Sequence, residues 1–325
     1  MSVLAPARVP QRFLPVIATF VVFAVTFGAG SVRYEGFASG QVVANLFIDN
    51  AYLIVLAVGM TFVILTGGID LSVGSVVALS SMIAASGLQA GWPAWLAVLA
   101  ALASGTVLGL LMGLVIHHFQ VQPFIVTLAG MFLARGLCFL ISVESVSIKD
   151  PSFRAAATGT FELPGEVTVT YTVVIALLVV AIGAYVLHLT RFGRTVYAVG
   201  GNEASARLMG LASGRAKVGV YAISGFCSAL GGLLFSLYML SGYGLHGVGM
   251  ELDVIAAVVI GGTLLSGGVG YVAGSLAGVL VLGTVQTLIS FDGTLTSWWT
   301  KIVIGVLLLA FIALQRLMVH RRPAR

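Results

Sequence analysis

Charge is what this chain has least of. Only 8% of its 325 residues are Asp, Glu, Lys or Arg, against 59% hydrophobic. A soluble domain carries roughly a quarter charged residues, so a water-soluble globule is excluded. Cysteine is almost missing too. Cys138 and Cys227 both sit in apolar runs, which argues against a disulfide framework or a thiolate metal site. Catalytic signatures are absent as well. There is no G-x-x-x-x-G-K-[ST], so the chain does not bind ATP in a P-loop. There is no H-E-x-x-H and no G-x-S-x-G, and no line of carboxylates through the apolar runs suggests a proton relay. Gly242, Gly244 and Gly247 have the letters of a dinucleotide loop but follow an apolar run instead of a strand. An intramembrane enzyme would need a nucleophile–base pair or metal ligands in those runs, and none stands out. The chain reads as non-catalytic, without an energy source of its own. Its net charge of +5 does not point to nucleic acid, because the basic residues gather at the tails and in one island.

What is present is hydrophobic length. Mean hydropathy is +1.10, and a spanning helix needs about 17–25 apolar residues. Candidate spans are 13–30, 51–66, 70–88, 94–116, 121–143, 171–189, 218–240, 251–265, 271–290 and 298–315. The expectation is an all-α polytopic membrane protein, a bundle of about ten transmembrane helices forming a single transmembrane domain over 1–325. The 51–66 and 251–265 spans are short enough to be broken or re-entrant. Phe13–Gly30 is too long for a signal-peptide core and reads as an uncleaved first span.

Sidedness follows from the basic residues. With both termini cytoplasmic, Arg8, Arg12, Arg191, Arg194, Arg207, Arg215, Lys217, Arg316, Arg321, Arg322 and Arg325 fall inside, and only Arg33, Lys149, Arg154 and Lys301 fall outside. Most acids fall outside. Trp92, Trp95, Trp298 and Trp299 fall at outer helix ends, where indole rings favour the interface. The longest outer loop, 144–170, alternates β-branched residues near Thr168–Thr172, which fits a short hairpin. It is either a plain connection or a docking surface for an external binding protein.

The charged island, 190–217, is the expected cytoplasmic loop. Inside it Asn202 suits an N-cap, Glu203 the first turn, and Gly210 a left-handed helix end. Glu203 precedes Arg207 by one turn, the favourable order. Ala204, Leu208 and Leu211 form a small apolar stripe. Spacing alone leaves two readings open, an ordinary polar loop or a peg gripped by a partner.

A second stretch, Thr66–Ser75, joins paired glycines Gly67 and Gly68 to Asp70 and Ser72. Asp70 or Ser72 is expected to cap the following helix; the sharper reading is a broken helix lining a pathway. Leu65-Thr66-Gly67-Gly68 is matched by Leu265-Ser266-Gly267-Gly268, as in transporters whose paired glycine breaks bracket a solute site. Arg135, within an apolar run, suits either a substrate hydrogen bond or a structural ion pair. Thr127 and other polar residues in the runs suit hydroxyl-rich solutes, but such residues also bond to neighbouring helices.

Four stretches carry a family resemblance: GMTFVILTGGIDLSVGSVVAL at 59–79, QPFIVTLAGMFLARG at 122–136, TRFGRTVYAVGGNEASARLMGL at 190–211 and DVIAAVVIGGTLLSGGVGYVAGSLAG at 253–278. With them the chain resembles the membrane permease subunits of bacterial ABC importers for sugars, of the ribose, xylose and galactose type. Within that family it looks most like a galactofuranose permease. The resemblance implies a cytoplasmic ATPase partner holding ATP and Mg, with no cofactor in this chain. It also implies a periplasmic sugar-binding protein and a second permease subunit, identical or related, in the bacterial inner membrane. Asn202, Glu203, Ala204, Arg207, Leu208 and Gly210 would then form the coupling helix that meets the ATPase during alternating access. Gly67, Gly68, Asp70, Ser72, Thr127 and Arg135 remain pathway or helix-break candidates. The rival reading is an ATP-independent secondary transporter or channel for a small polar solute.

Overall fold

The computed structural model describes residues 14–296 and 298–320. Arg8, Arg12, Arg321, Arg322 and Arg325, used above for sidedness, lie outside the described residues. The chain opens with α1 (Leu14–Arg33), α2 (Gly40–Leu65), α3 (Val73–Gln89), α4 (Ala94–His118) and α5 (Pro123–Ile141). Next come β1 (Val146–Ser147), α6 (Pro151–Thr158), β2 (Thr160–Leu163) and β3 (Val167–Thr170). Then follow α7 (Tyr171–Leu189), α8 (Arg191–Gly201), α9 (Glu203–Leu208) and α10 (Ser213–Met239). The chain closes with β4 (Ser241–Gly242), α11 (Met250–Ile260), α12 (Val272–Asp292) and α13 (Trp298–His320). Among the described residues, seven helices are long and apolar enough to cross a membrane, while α3 and the first part of α13 are apolar but shorter. The β2–β3 hairpin marks one end of the bundle and α9 the other, with α7 between them.

Two expectations need correction, and a third, the short 251–265 span, holds. The 51–66 span is neither short nor broken: α2 runs unbroken over 26 residues from a cap at Ser39, which accepts from the Val42 amide. Polar residues ahead of position 51 fit inside the helix. Asn50, for example, donates to the Leu46 carbonyl one turn back, at 2.9 Å. The 251–265 span is an 11-residue helix, α11, followed by a glycine-rich turn. The charged island does not end at Lys217, because α10 already begins at Ser213 and takes Arg215 and Lys217 into its first turns.

The core is built on α2, α3 and α10. Residues 51–65 of α2 are buried except for Tyr52, which is half-buried. Gly105, Gly109 and Gly113 let α4 approach α10, where a Cβ would meet the Gly225 and Tyr221 carbonyls and Val218. Such small-residue contacts are how helices associate in lipid, where apolar burial alone gives no drive. The 144–170 loop folds into α6 and the expected hairpin, with Thr160 opposite Thr170. Trp92, Trp95, Trp298 and Trp299 are all partly exposed at helix ends. Cys138 and Cys227 are buried and free.

Candidate coupling site and glycine junction

The island folds as two helices at a sharp break. Thr190 opens α8 by accepting from the Gly193 amide at 3.2 Å. Gly193, Val196 and Val199 turn inward, while Arg191 and Arg194 stay exposed. The sequence reading missed this helix, although Phe192, Val196 and Val199 already lie at helical spacing. Asn202 then serves both helices. Its amide donates to Ala198 at 3.0 Å, ending α8, and its Oδ1 accepts from Ser205 at 2.9 Å, starting α9.

The six-residue α9 is held at both ends. Gly210 has φ +75°; its amide bonds the Arg207 carbonyl at 2.9 Å, and the Leu211 amide bonds Ala206 at 3.1 Å. That pair of bonds is a complete Schellman cap. Glu203 receives Arg207 on one oxygen and Lys217 of α10 on the other, each at 2.6 Å. Partial burial pushes the Glu203 pKa up, but the bonds from Lys217 and Arg207 outweigh it and hold the carboxyl below its ordinary value. Arg207 also reaches Ser213 at 3.3 Å.

The expected stripe is partly wrong about which side faces in. Ala206, packed with Val199 and Ala216, is the buried anchor, whereas Ala204 and Leu208 face out. Leu208 is 89% exposed and its neighbour Met209 68%. Two large apolar side chains thus stand at the tip of a rigid, charged knuckle.

Behind the knuckle lies a junction of glycines. The Gly268 amide donates to the Leu65 carbonyl at 2.9 Å. A Cβ on Gly267 would lie 2.8 Å from the Gly67 amide nitrogen. The matched turns therefore touch. The last turn of α8 fills the third side: a Cβ on Gly200 would collide with the Leu65 carbonyl, and one on Gly268 would lie 3.0 Å from the Gly201 Cα. Tyr197 adds a bond from its hydroxyl to the Gly270 carbonyl at 2.6 Å.

Asp70 and Ser72 do not cap α3 as expected. Ser72 stands at the N-cap position, but its side chain makes no capping bond. Instead Asp70, fully buried, accepts from the Ser72 amide at 2.9 Å, the Ser72 hydroxyl at 2.6 Å and the Ser224 hydroxyl of α10 at 2.6 Å. Its carboxylate bolts the α2–α3 break to α10. Thr127 is also buried, bonding the Ile69 carbonyl at 3.3 Å and its own helix. Among the described residues Arg135 makes no ion pair. It donates to the carbonyls of Gly244 at 2.5 Å and His246 at 2.7 Å.

The family described as branched-chain amino acid transport system, permease component, matches residues 42–312. The chain belongs to this permease family. It is 48% identical over 307 residues to the inner membrane ABC transporter permease protein YjfF of Escherichia coli K12, covering 94% of this chain and 93% of that one. It is 42% identical over 315 residues to the fructose import permease protein FruG of Bifidobacterium longum, covering 95% and 92%. It is 39% identical over 265 residues to the ribose import permease protein RbsC of E. coli K12, covering 82% of each. No solved structure matches the chain. As a family member it is a multi-pass membrane protein and a transport component.

Proposed function

We propose that this chain is the permease subunit of an ATP-driven importer for a monosaccharide. Its relatives' names carry the sugar class, fructose and ribose; none of those three names carries galactofuranose, so the reading stops at monosaccharide. The observation that carries the coupling role is the α9 knuckle, with exposed Leu208 and Met209, seated through Gly200 on both glycine turns. A separate ATPase, holding ATP and Mg, would grip that tip. Its closure would move α8–α9 as a unit against the α2–α3 break and the turn after α11. The hairpin end would face a periplasmic binding protein, the α9 end and both termini the cytoplasm, with ten spans in the inner membrane. A second permease, identical or related, would complete the path.

The test is reconstitution in proteoliposomes with an ATPase and a sugar-binding protein of the same importer type. Uptake of a labelled pentose or hexose that requires ATP supports the reading. Uptake by the permease alone, driven by an ion gradient and indifferent to ATP, would establish the secondary-transporter rival.

A further inference from the structure

Residues 243–249, between β4 and α11, form the least conventional stretch of the bundle. β4 pairs with β1 at the hairpin end, Gly242 opposite Val146 and Ser241 opposite Ser147. From there the chain runs down the side of α3. A Cβ on Gly242 would lie 2.5 Å from the Ser81 carbonyl, and a Cβ on Gly247 would lie 2.7 Å from the Gly74 carbonyl. Ser81 to Gly74 is about 10 Å of helix at 1.5 Å per residue. The depth is set by α10. Asp70 bonds Ser224, and Gly232 packs against Val77 and Ser80, so Gly74 lies level with the middle of the 27-residue α10. Residues 243–249 therefore reach the middle of the membrane as irregular backbone.

Irregular backbone at that depth is tolerated only inside protein or beside water, because lipid offers it no hydrogen bonds. Within this chain the stretch is only partly covered, with Gly244 buried and the apolar side chains of the stretch open. Leu245, Val248 and the adjoining Leu252 are 50%, 68% and 63% exposed. Among the described residues, the amides of Leu245 and Val248 meet no acceptor in the chain. Arg135 satisfies the carbonyls of Gly244 and His246 from α5. Two side-chain atoms, His246 Nδ1 and Glu251 Oε2, are shut in without a partner. Against hydrocarbon each unmet backbone amide costs several kcal/mol; water, or the hydroxyls of a sugar, would satisfy those of Leu245 and Val248. Arg135 gives two donors to main-chain carbonyls of this stretch and so holds it against α5.

Building on the importer reading, we propose that residues 243–249 form a wall of the water-filled solute path. Arg135 is the positioning residue that holds this wall at the membrane midplane.

Cysteine reactivity in the fully assembled transporter tests this. Leu245→Cys and Val248→Cys are compared with Leu178→Cys and Leu309→Cys, which replace exposed apolar residues of α7 and α13. The probe is a charged, water-soluble methanethiosulfonate. The native thiols Cys138 and Cys227 are buried and give little background. Modification at 245 and 248 is expected at least tenfold faster than at 178 and 309, and it should block uptake. Arg135→Leu should change the rate at Val248→Cys at least threefold, and Arg135→Lys, which keeps a donor, should bring it part-way back. Equal rates at all four positions, with ATP-driven uptake intact, would overturn the proposal. So would a disulfide formed between two permease chains at Leu245→Cys without reaction with the probe, since the stretch would then face a partner and not water. Failure of the unsubstituted assembly to take up sugar with ATP sinks the importer reading alone; the labelling contrast stands or falls separately.

Discussion

The carbonyl of Leu65 accepts from the amide of Gly268 at 2.9 Å, and the same carbonyl closes off the space beside Gly200. One oxygen is thus shared by the break after α2, the turn after α11 and the last turn of α8. A displacement of α9 has no slack to absorb it before it reaches both breaks. Packed interiors transmit strain, since they have few voids to take it up.

That contact makes Gly200 and Gly201 an informative pair. Gly200→Val should reduce ATP-driven uptake at least tenfold through a clash costing about 1–3 kcal/mol, with the chain still present in the membrane. Gly201→Ala, whose Cβ would meet open space, should leave uptake within twofold of the unsubstituted protein. Equal behaviour of the two in a transport assay would count against the wedge.

Leu208→Glu should abolish co-purification of the ATPase. The side chain is 89% exposed, so the melting temperature of the purified permease should stay put; surface changes of this kind are usually within about 0.5 kcal/mol. Retained ATPase in a detergent pull-down would remove Leu208 from the contact.

Glu203 sets a pH limit. Its carboxyl titrates below the ordinary value of 4.5, so its ion pairs contribute fully above that value and are lost as pH falls through the lowered one. Hydrogen exchange of the α9 amides should therefore be flat between about pH 5 and 8 once corrected for intrinsic rates, and should quicken only in stronger acid. Glu203→Gln should raise exchange at pH 7 and erase the acid step. Each exposed pair contributes only about 0.2–1 kcal/mol, so the rise should be a few-fold.

Asp70→Ala should lower the melting temperature in detergent more than Ser224→Ala. The first change strands three donors, two from Ser72 and one from Ser224, while the second removes a single bond. Buried unsatisfied groups cost about 1–3 kcal/mol each. A milder effect for Asp70→Ala would mean that water reaches the break.

The sequence showed the knuckle well because its signals are local. Asn202, Glu203, Arg207 and Gly210 carry cap and ion-pair roles that depend on neighbours a turn away. It was poorer at helix ends inside the membrane. Polar residues such as Asn50 there bond to their own helix, so polarity does not mark a boundary. It could not show that Gly67, Gly200 and Gly267 meet, because close approach leaves no trace in one strand of sequence beyond the glycines themselves. Arg135 was read as a structural ion pair or a substrate contact; its partners proved to be carbonyls, which any residue can supply. The stretch 243–249 was visible only as a glycine-rich gap between two spans, marked by Gly242, Gly244 and Gly247; its run along α3 depends on contacts that one strand of sequence does not show.

The two-residue ladder between β1 and β4 has one further consequence. Val146 and Ser147 are tied to Gly242 and Ser241 through main-chain atoms alone, which side-chain replacement does not remove. The surface of the 144–170 loop is therefore free to drift in sequence and acquire new partners while its tether to the interior stays intact. Surface chemistry and linkage are kept in separate parts of the polymer, so one can be revised without rewriting the other.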